Sequence, residues 1–140
     1  MNLSRIFDIA GSGMTAQSVR MSTVASNLAN AQTTANTEAG AYKAKQAVFQ
    51  TIHDQALSKH SEASKGVQVV DIVESNAPAD MRYEPDHPDA NEEGYVFYSN
   101  VNVVEEMANM IAASKAFNAE VEVMNTTKSM LQKVLTLGQG

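Results

Sequence analysis

The sequence predicts an α+β protein: long helices at the two ends of the chain, paired as a coiled coil, with a small β-rich region between them. Three observations carry this. Apolar residues in the last third recur at alternating steps of four and three. The first third repeats that alternation. The stretch between loses the period and is broken by prolines, glycines and short β-branched runs.

The C-terminal segment is the clearest. Val103, Met107, Met110, Ser114, Phe117, Val121, Met124, Lys128, Leu131 and Leu135 form an unbroken alternation, the a/d seam of a heptad that keeps one stripe facing one partner. Asn102 stands where it can cap the first turn, with Glu105 three residues on as in a capping box. Gly138 stands where a helix commonly stops. Such a helix runs roughly 50 Å at about 1.5 Å per residue. A small globular core does not cover that length, so the helix needs another helix.

The N-terminal segment supplies one. Leu3, Phe7, Ala10, Met14, Gln17, Met21, Val24, Leu28 and Ala31 follow the same alternation. The candidate assembly seam is therefore Leu3, Phe7, Met14, Met21, Val24 and Leu28 on the first helix. On the second it is Val103, Met107, Met110, Phe117, Val121, Met124, Leu131 and Leu135. The chain divides at 1–34, 35–101 and 102–140. An antiparallel pair with Met14 beside Met124 sets Lys128, the one charged seam residue of the second helix, beside Ala10. The first helix has an outer face of Ser, Thr, Asn, Gln and Ala with few charges, unlike a free-standing helix. Gly11 and Gly13 each cost about 1 kcal/mol of helix propensity against alanine. These features predict a segment that orders only when packed into an assembly, since the middle region is too small to bury both helices.

In the middle, 26–31 reads Ser-Asn-Leu-Ala-Asn-Ala, and its two asparagines favour an early helix end. Residues 32–40 read as a loop, 42–52 as a strand or extended segment and 58–66 as a polar loop. The β-branched run 67–74 is the best strand. Residues 81–83 and 95–98 read as short strands flanking a turn at 86–94, which holds Pro88 and Gly94.

The chain has 140 residues, a net charge of −6 and no cysteine. One domain's length is implied, nucleic acid is a poor partner, and disulfides say nothing of compartment. Residues 71–106 hold ten acids against Arg82 alone. No apolar run is long enough to span a membrane. The N-terminus lacks the basic and apolar regions of a secretory signal.

Asp80, Glu84, Asp86, His87, Asp89, Glu92 and Glu93 form the one cluster suggesting a hard metal ion. The spacing fits no calcium or zinc motif, and a solvated acidic loop or a face for basic partner subunits fits better. His53 and His60 have no nucleophile at a fixed spacing. No serine sits in a nucleophile elbow, and Gly11-Ser12-Gly13 lacks the lysine of a phosphate loop. No catalytic, cofactor or metal residue is assigned. The seam methionines read first as core packing, and second as adaptable contacts to unlike neighbours.

Three stretches together carry a resemblance. They are Ile6-Phe7-Asp8-Ile9-Ala10-Gly11-Ser12 running on to Ala25-Ser26-Asn27-Leu28-Ala29-Asn30-Ala31; Tyr83-Glu84-Pro85 with Gly94-Tyr95-Val96; and Asn100-Val101-Asn102-Val103-Val104-Glu105-Glu106-Met107, ending Lys128-Ser129-Met130-Leu131 and Thr136-Leu137-Gly138-Gln139. Over essentially the whole chain this resembles the flagellar rod and hook protein family, and within it the rod C group of proximal-rod subunits. Relatives often follow the Ser-Asn-Leu-Ala-Asn element closely with Gly-Tyr or Gly-Phe. Here Gly40 comes later, before Ala41-Tyr42. The resemblance implies a structural subunit of the bacterial flagellar basal body that transmits torque and encloses the export channel, with terminal helices lining the tube and the middle domain outside. It implies export by the flagellar type III apparatus without a cleaved signal, and a position across the periplasm. Implied partners are other rod proteins, copies of itself and the MS-ring and export-gate side of the basal body. The rivals are a non-flagellar coiled-coil adaptor and a small metal-binding domain.

Overall fold

A computed structural model describes residues 3–53 and 64–138. In chain order the elements are α1 (Leu3–Asn30), β1 (Thr34–Ala35), a 3-10 turn (Glu38–Gly40), β2 (Lys45–His53), β3 (Ser64–Glu74), β4 (Asp80–Tyr83), β5 (Tyr95–Tyr98) and α2 (Val103–Gly138). The α+β class stands. Among the described residues no helix is long and apolar enough to cross a membrane.

Helix α1 turns the hydroxyls of exposed Thr15 and buried Thr23 onto its own backbone. Thr15 Oγ1 and Thr23 Oγ1 donate to the carbonyls four residues back, at 3.0 and 2.9 Å, the local bond that lets such residues sit inside a helix. Helix α2 starts at its expected cap: Asn102 Oδ1 accepts from the backbone N–H of Val104 at 3.1 Å and Glu105 at 3.3 Å. It runs to Gly138, the last described residue, so the expected stop falls at the edge of the description.

The middle folds as two small antiparallel sheets. Strands β2 and β3 form a hairpin from Lys45 opposite Glu74 to His53 opposite Ser64, with irregularities at Val48/Phe49 and Ile52/His53. Strands β1, β5 and β4 form the other sheet in that order, with Tyr83 opposite Tyr95. Two details differ from the sequence reading. The 32–40 loop carries β1 and the 3-10 turn, because Thr34 and Ala35 find backbone partners in Tyr98 and Phe97. Strand β3 begins at Ser64, within the expected 58–66 loop; the rest of that loop, including His60, lies outside the described residues.

The hairpin docks on α1 at a point that admits only glycine. Ser12 Oγ donates to the Ile9 carbonyl at 2.8 Å and accepts from the Val67 N–H at 3.1 Å. Gly66 has φ +138°, a region that side chains rarely adopt, and a Cβ there would collide with the Ser12 hydroxyl.

Helix α1 is packed between the hairpin and α2. The two helices are antiparallel: Asn27 meets Glu106, Arg20 meets Asn109, Gly13 faces Glu120 and Gly11 faces Met124. Their contact is built from small residues, with Ala10, Ala16, Val24 and Ala113 buried. The positions buried in the helix pair coincide only in part with the expected stripe. The positions of α2 that turn inward are Glu106, Ala113 and Thr127, all buried, flanked by half-buried Met110, Phe117 and Met124. Met110, Phe117 and Met124 of the expected stripe flank this row, Ser114 and Val121 are half-buried as well, and Val103, Met107 and Lys128 are exposed. On α1 the change is the same: Ala10, Gly13, Val24 and Asn27 are buried, with Phe7, Met14, Met21 and Leu28 half-buried beside them. Glycine and alanine let the backbones approach closely, and the bulky residues then fit only along the flanks. The register differs as well: Glu120 faces Gly13, Met124 reaches Gly11, and Lys128 is exposed.

Candidate assembly site

Helix α1, the start of β2 and the first turns of α2 meet at one fully buried side chain, Asn27. Its Nδ2 donates to the Lys45 carbonyl and to Glu106 Oε2, both at 2.8 Å. Its Oδ1 accepts from the Lys45 N–H at 2.9 Å and from the Tyr42 hydroxyl at 3.0 Å. Two donors and two lone pairs are the full capacity of an amide, so Asn27 acts as a strand edge for Lys45 while holding α2. Glu106 is 7% exposed. It also accepts from Asn109 Nδ2 at 3.3 Å, and Asn109 Oδ1 accepts from Arg20 Nη2 at 3.3 Å. A guanidinium, two amides and a carboxylate thus form one polar thread across the helix pair.

The neighbouring residues of the 26–31 element close the helix end. Asn30 Nδ2 donates to the Ser26 carbonyl at 2.8 Å, and Ser26 Oγ lies 3.2 Å from the Tyr42 hydroxyl. Asn100 repeats the device on the far side of β2: it accepts from the Ala44 N–H at 2.7 Å and donates to the Ala77 carbonyl at 2.8 Å. The two asparagines of 26–31 therefore do not loosen the helix; α1 continues through Asn30.

Further along the pair the polar contacts are poorer. The Glu120 carboxyl fills the notch left by Gly13. Its Oε2 is buried without a hydrogen-bond partner among the described residues, as is Gln17 Oε1. Burial raises the Glu120 carboxyl above the ordinary carboxylate range.

The other feature that points outward is apolar. Helix α2 is 36 residues long against 28 for α1. With Gly13 opposite Glu120, its last turns extend past the start of α1. Met130, Val134 and Leu135 are exposed there, Leu135 at 59%, and Leu137 at 81%. At the other end Val103, Val104, Met107 and Ile111 are exposed on one face, Met107 at 54%. Unpartnered apolar residues at this density mark surfaces that meet another molecule.

The expected seam residues fall into three groups. Val24 is buried, and Phe7, Met14, Met21, Leu28, Met110, Phe117, Val121 and Met124 are half-buried. Val103, Met107, Leu131 and Leu135 are exposed. The Leu3 side chain lies outside the described residues. Sequence reasoning missed Asn27, Glu106, Asn109 and Asn100, since nothing local says which backbone an asparagine will bond.

The acidic segment is occupied with local bonds. Arg82 pairs with Asp80 at 2.8 Å and lies over the Tyr98 ring at 4.5 Å. The Tyr98 hydroxyl donates to Glu84 at 3.1 Å, Thr34 Oγ1 donates to Asp89 at 2.6 Å, and His87 Nδ1 accepts from the Asp89 N–H. Among the described residues no three of these side chains converge as a metal site.

The chain was compared with known proteins. The family described as "Flagella basal body rod protein" matches residues 7–38, and "Flagellar basal body rod FlgEFG protein C-terminal" matches residues 92–137. The flagellar basal-body rod protein FlgC of Escherichia coli O6:H1 is 50% identical over 139 residues, covering 99% of this chain and all of that protein. FlgC of Salmonella typhimurium is 49% identical with the same coverage. FlgC of Borreliella burgdorferi is 33% identical over 152 residues, covering both chains completely.

Proposed function

Because the chain belongs to the FlgC family of flagellar basal-body rod proteins, we propose that it builds the proximal part of the rod by burying the bare faces of α2 against neighbouring subunits. It is a structural subunit of the basal-body rod and not an enzyme. In this reading the terminal segments 1–34 and 102–140 form the rod core around the export channel, and 35–101 is an outer domain. The antiparallel helix pair extends between subunits as a coiled coil. The expected seam then has two uses: its half-buried residues lie within the subunit, and Val103, Met107, Leu131 and Leu135 join subunits. Partners are copies of the chain, other rod proteins and the MS-ring and export-gate side of the basal body. The chain reaches its place across the periplasm through the flagellar type III apparatus without a cleaved signal.

The observation that carries this is the apolar overhang of α2, which is left exposed among the described residues. Imaging of basal bodies from cells carrying a tag in the middle region tests it. Tag density around the proximal rod is expected; density elsewhere, or basal bodies lacking the chain, overturns it.

A further inference from the structure

We propose that the cleft between α1, β2 and the first turns of α2 is a carboxylate-binding site, and that its ligand is the acidic turn 84–93 of a second copy of the chain. This rests on the reading above, in which copies pack against one another.

The cleft encloses about 360 Å³. Val24, Ala47 and Phe49 supply apolar walls, and Arg20 and Lys45 supply cations. The one acid among its described lining residues, Glu106, is turned inward and held by Asn27 and Asn109 at 2.8 and 3.3 Å. Arg20 is half-buried, and among the described residues its one hydrogen bond runs to Asn109 at 3.3 Å. A guanidinium has five donors, so Arg20 retains the fork that matches a carboxylate in a bidentate pair. The Lys45 ammonium is no better satisfied. It stands 3.9 Å from Glu74, with both side chains substantially exposed, and 5.7 Å from the centre of the Tyr42 ring. Pairs of that kind hold a lysine weakly.

The turn fits by charge and is held rigid. Glu84, Asp86, Asp89, Glu92 and Glu93 meet no cation in an ion pair among the described residues. Glu84 and Asp89 are engaged by hydroxyls, which leaves Asp86, Glu92 and Glu93 exposed. Asn91 Oδ1 accepts from the N–H groups of Glu93 and Tyr95 at 3.0 and 2.8 Å, and the Gly94 N–H closes the turn on the Asn91 carbonyl at 2.9 Å. A turn braced in this way loses little freedom on docking. Each copy carries a charge of −6, so stacked copies repel unless the acid of one meets cations of the next. Cleft and turn are different surfaces, so the contact is head-to-tail and propagates.

The chain has no cysteine, so an introduced pair reports cleanly. With Gln46→Cys at the cleft and Glu92→Cys in the turn, mild oxidation of basal bodies should give a ladder of multiples of this chain. No cross-link, or a cross-link to a different rod protein alone, overturns the proposal. Arg20→Glu should lower incorporation into basal bodies by about tenfold, as for a charge-assisted pair turned repulsive. Glu92→Arg with Glu93→Arg in the same chain should restore it, and no restoration overturns the proposal. Arg20→Gln keeps a polar side chain but removes the charge and the fork, and with them only the long 3.3 Å bond to Asn109. It should melt like the wild-type chain yet incorporate less, and wild-type incorporation overturns the carboxylate site. If the unaltered chain is missing from basal bodies, the rod reading fails and the proposal with it.

Discussion

Gly13→Ala should stabilise the isolated chain. A new Cβ would lie 2.6 Å from Glu120 Cδ, so the carboxyl must leave its notch. That move is easy, because the carboxyl ends a flexible side chain, and its present seat is poor, with Oε2 buried and unpartnered. Reaching water relieves an unsatisfied acceptor, about 1–3 kcal/mol when burial is complete and the low end of that here. Alanine adds about 1 kcal/mol of helix propensity over glycine. The sum is about 2 kcal/mol, or about 5–10 °C in Tm for a chain of this size. Far-UV circular dichroism on heating reads it. Gly11→Ala is the control: its Cβ would make an ordinary contact 3.9 Å from Met124 Cε, and only the propensity term of about 1 kcal/mol applies. A Tm for Gly13→Ala below wild type, with Gly11→Ala above it, would refute the reasoning by showing that the seated Glu120 carboxyl holds the helices together.

Asn27→Ala should cost at least about 3 kcal/mol, because it strands both backbone groups of Lys45 and removes a donor from buried Glu106; urea unfolding measures it, and a loss under about 1 kcal/mol contradicts the hub. Burial raises the folded-state pKa of Glu120, so its contribution to stability is complete below the unfolded value and lost as pH rises through the folded one. Wild type should therefore gain on Glu120→Gln as pH falls toward the ordinary glutamate range, and a difference independent of pH excludes this. Leu135→Glu should leave Tm within about 0.5 kcal/mol of wild type, as for an exposed site, yet abolish swimming in a complementation assay; normal swimming would show that the overhang is not a subunit contact.

The fold was legible wherever a local pattern decides it. The four-three alternation found both helices, β-branched residues found β3, and Asn102 marked the start of α2. The row that turns inward was not legible, because hydrophobicity favours Met107 and Met14 while the backbones close on Ala113 and Gly13. The hub was not legible either. Asn27 bonds to Lys45 and Glu106, 18 and 79 residues away, and on α1 alone an asparagine looks like a helix breaker. The bare ends of α2 were visible only as apolar spacing. For the C-terminal turns, the lack of a partner among the described residues follows from the length of α1 and the register set by Gly13 and Glu120.

The central claim is that assembly covers the apolar end of α2, and a single reporter tests it directly. Val134→Cys places one thiol on a residue that is 58% exposed, in a chain with no other cysteine. A water-soluble maleimide should label it quickly in the purified chain and far more slowly in isolated basal bodies. Equal labelling rates in the two samples would contradict the account.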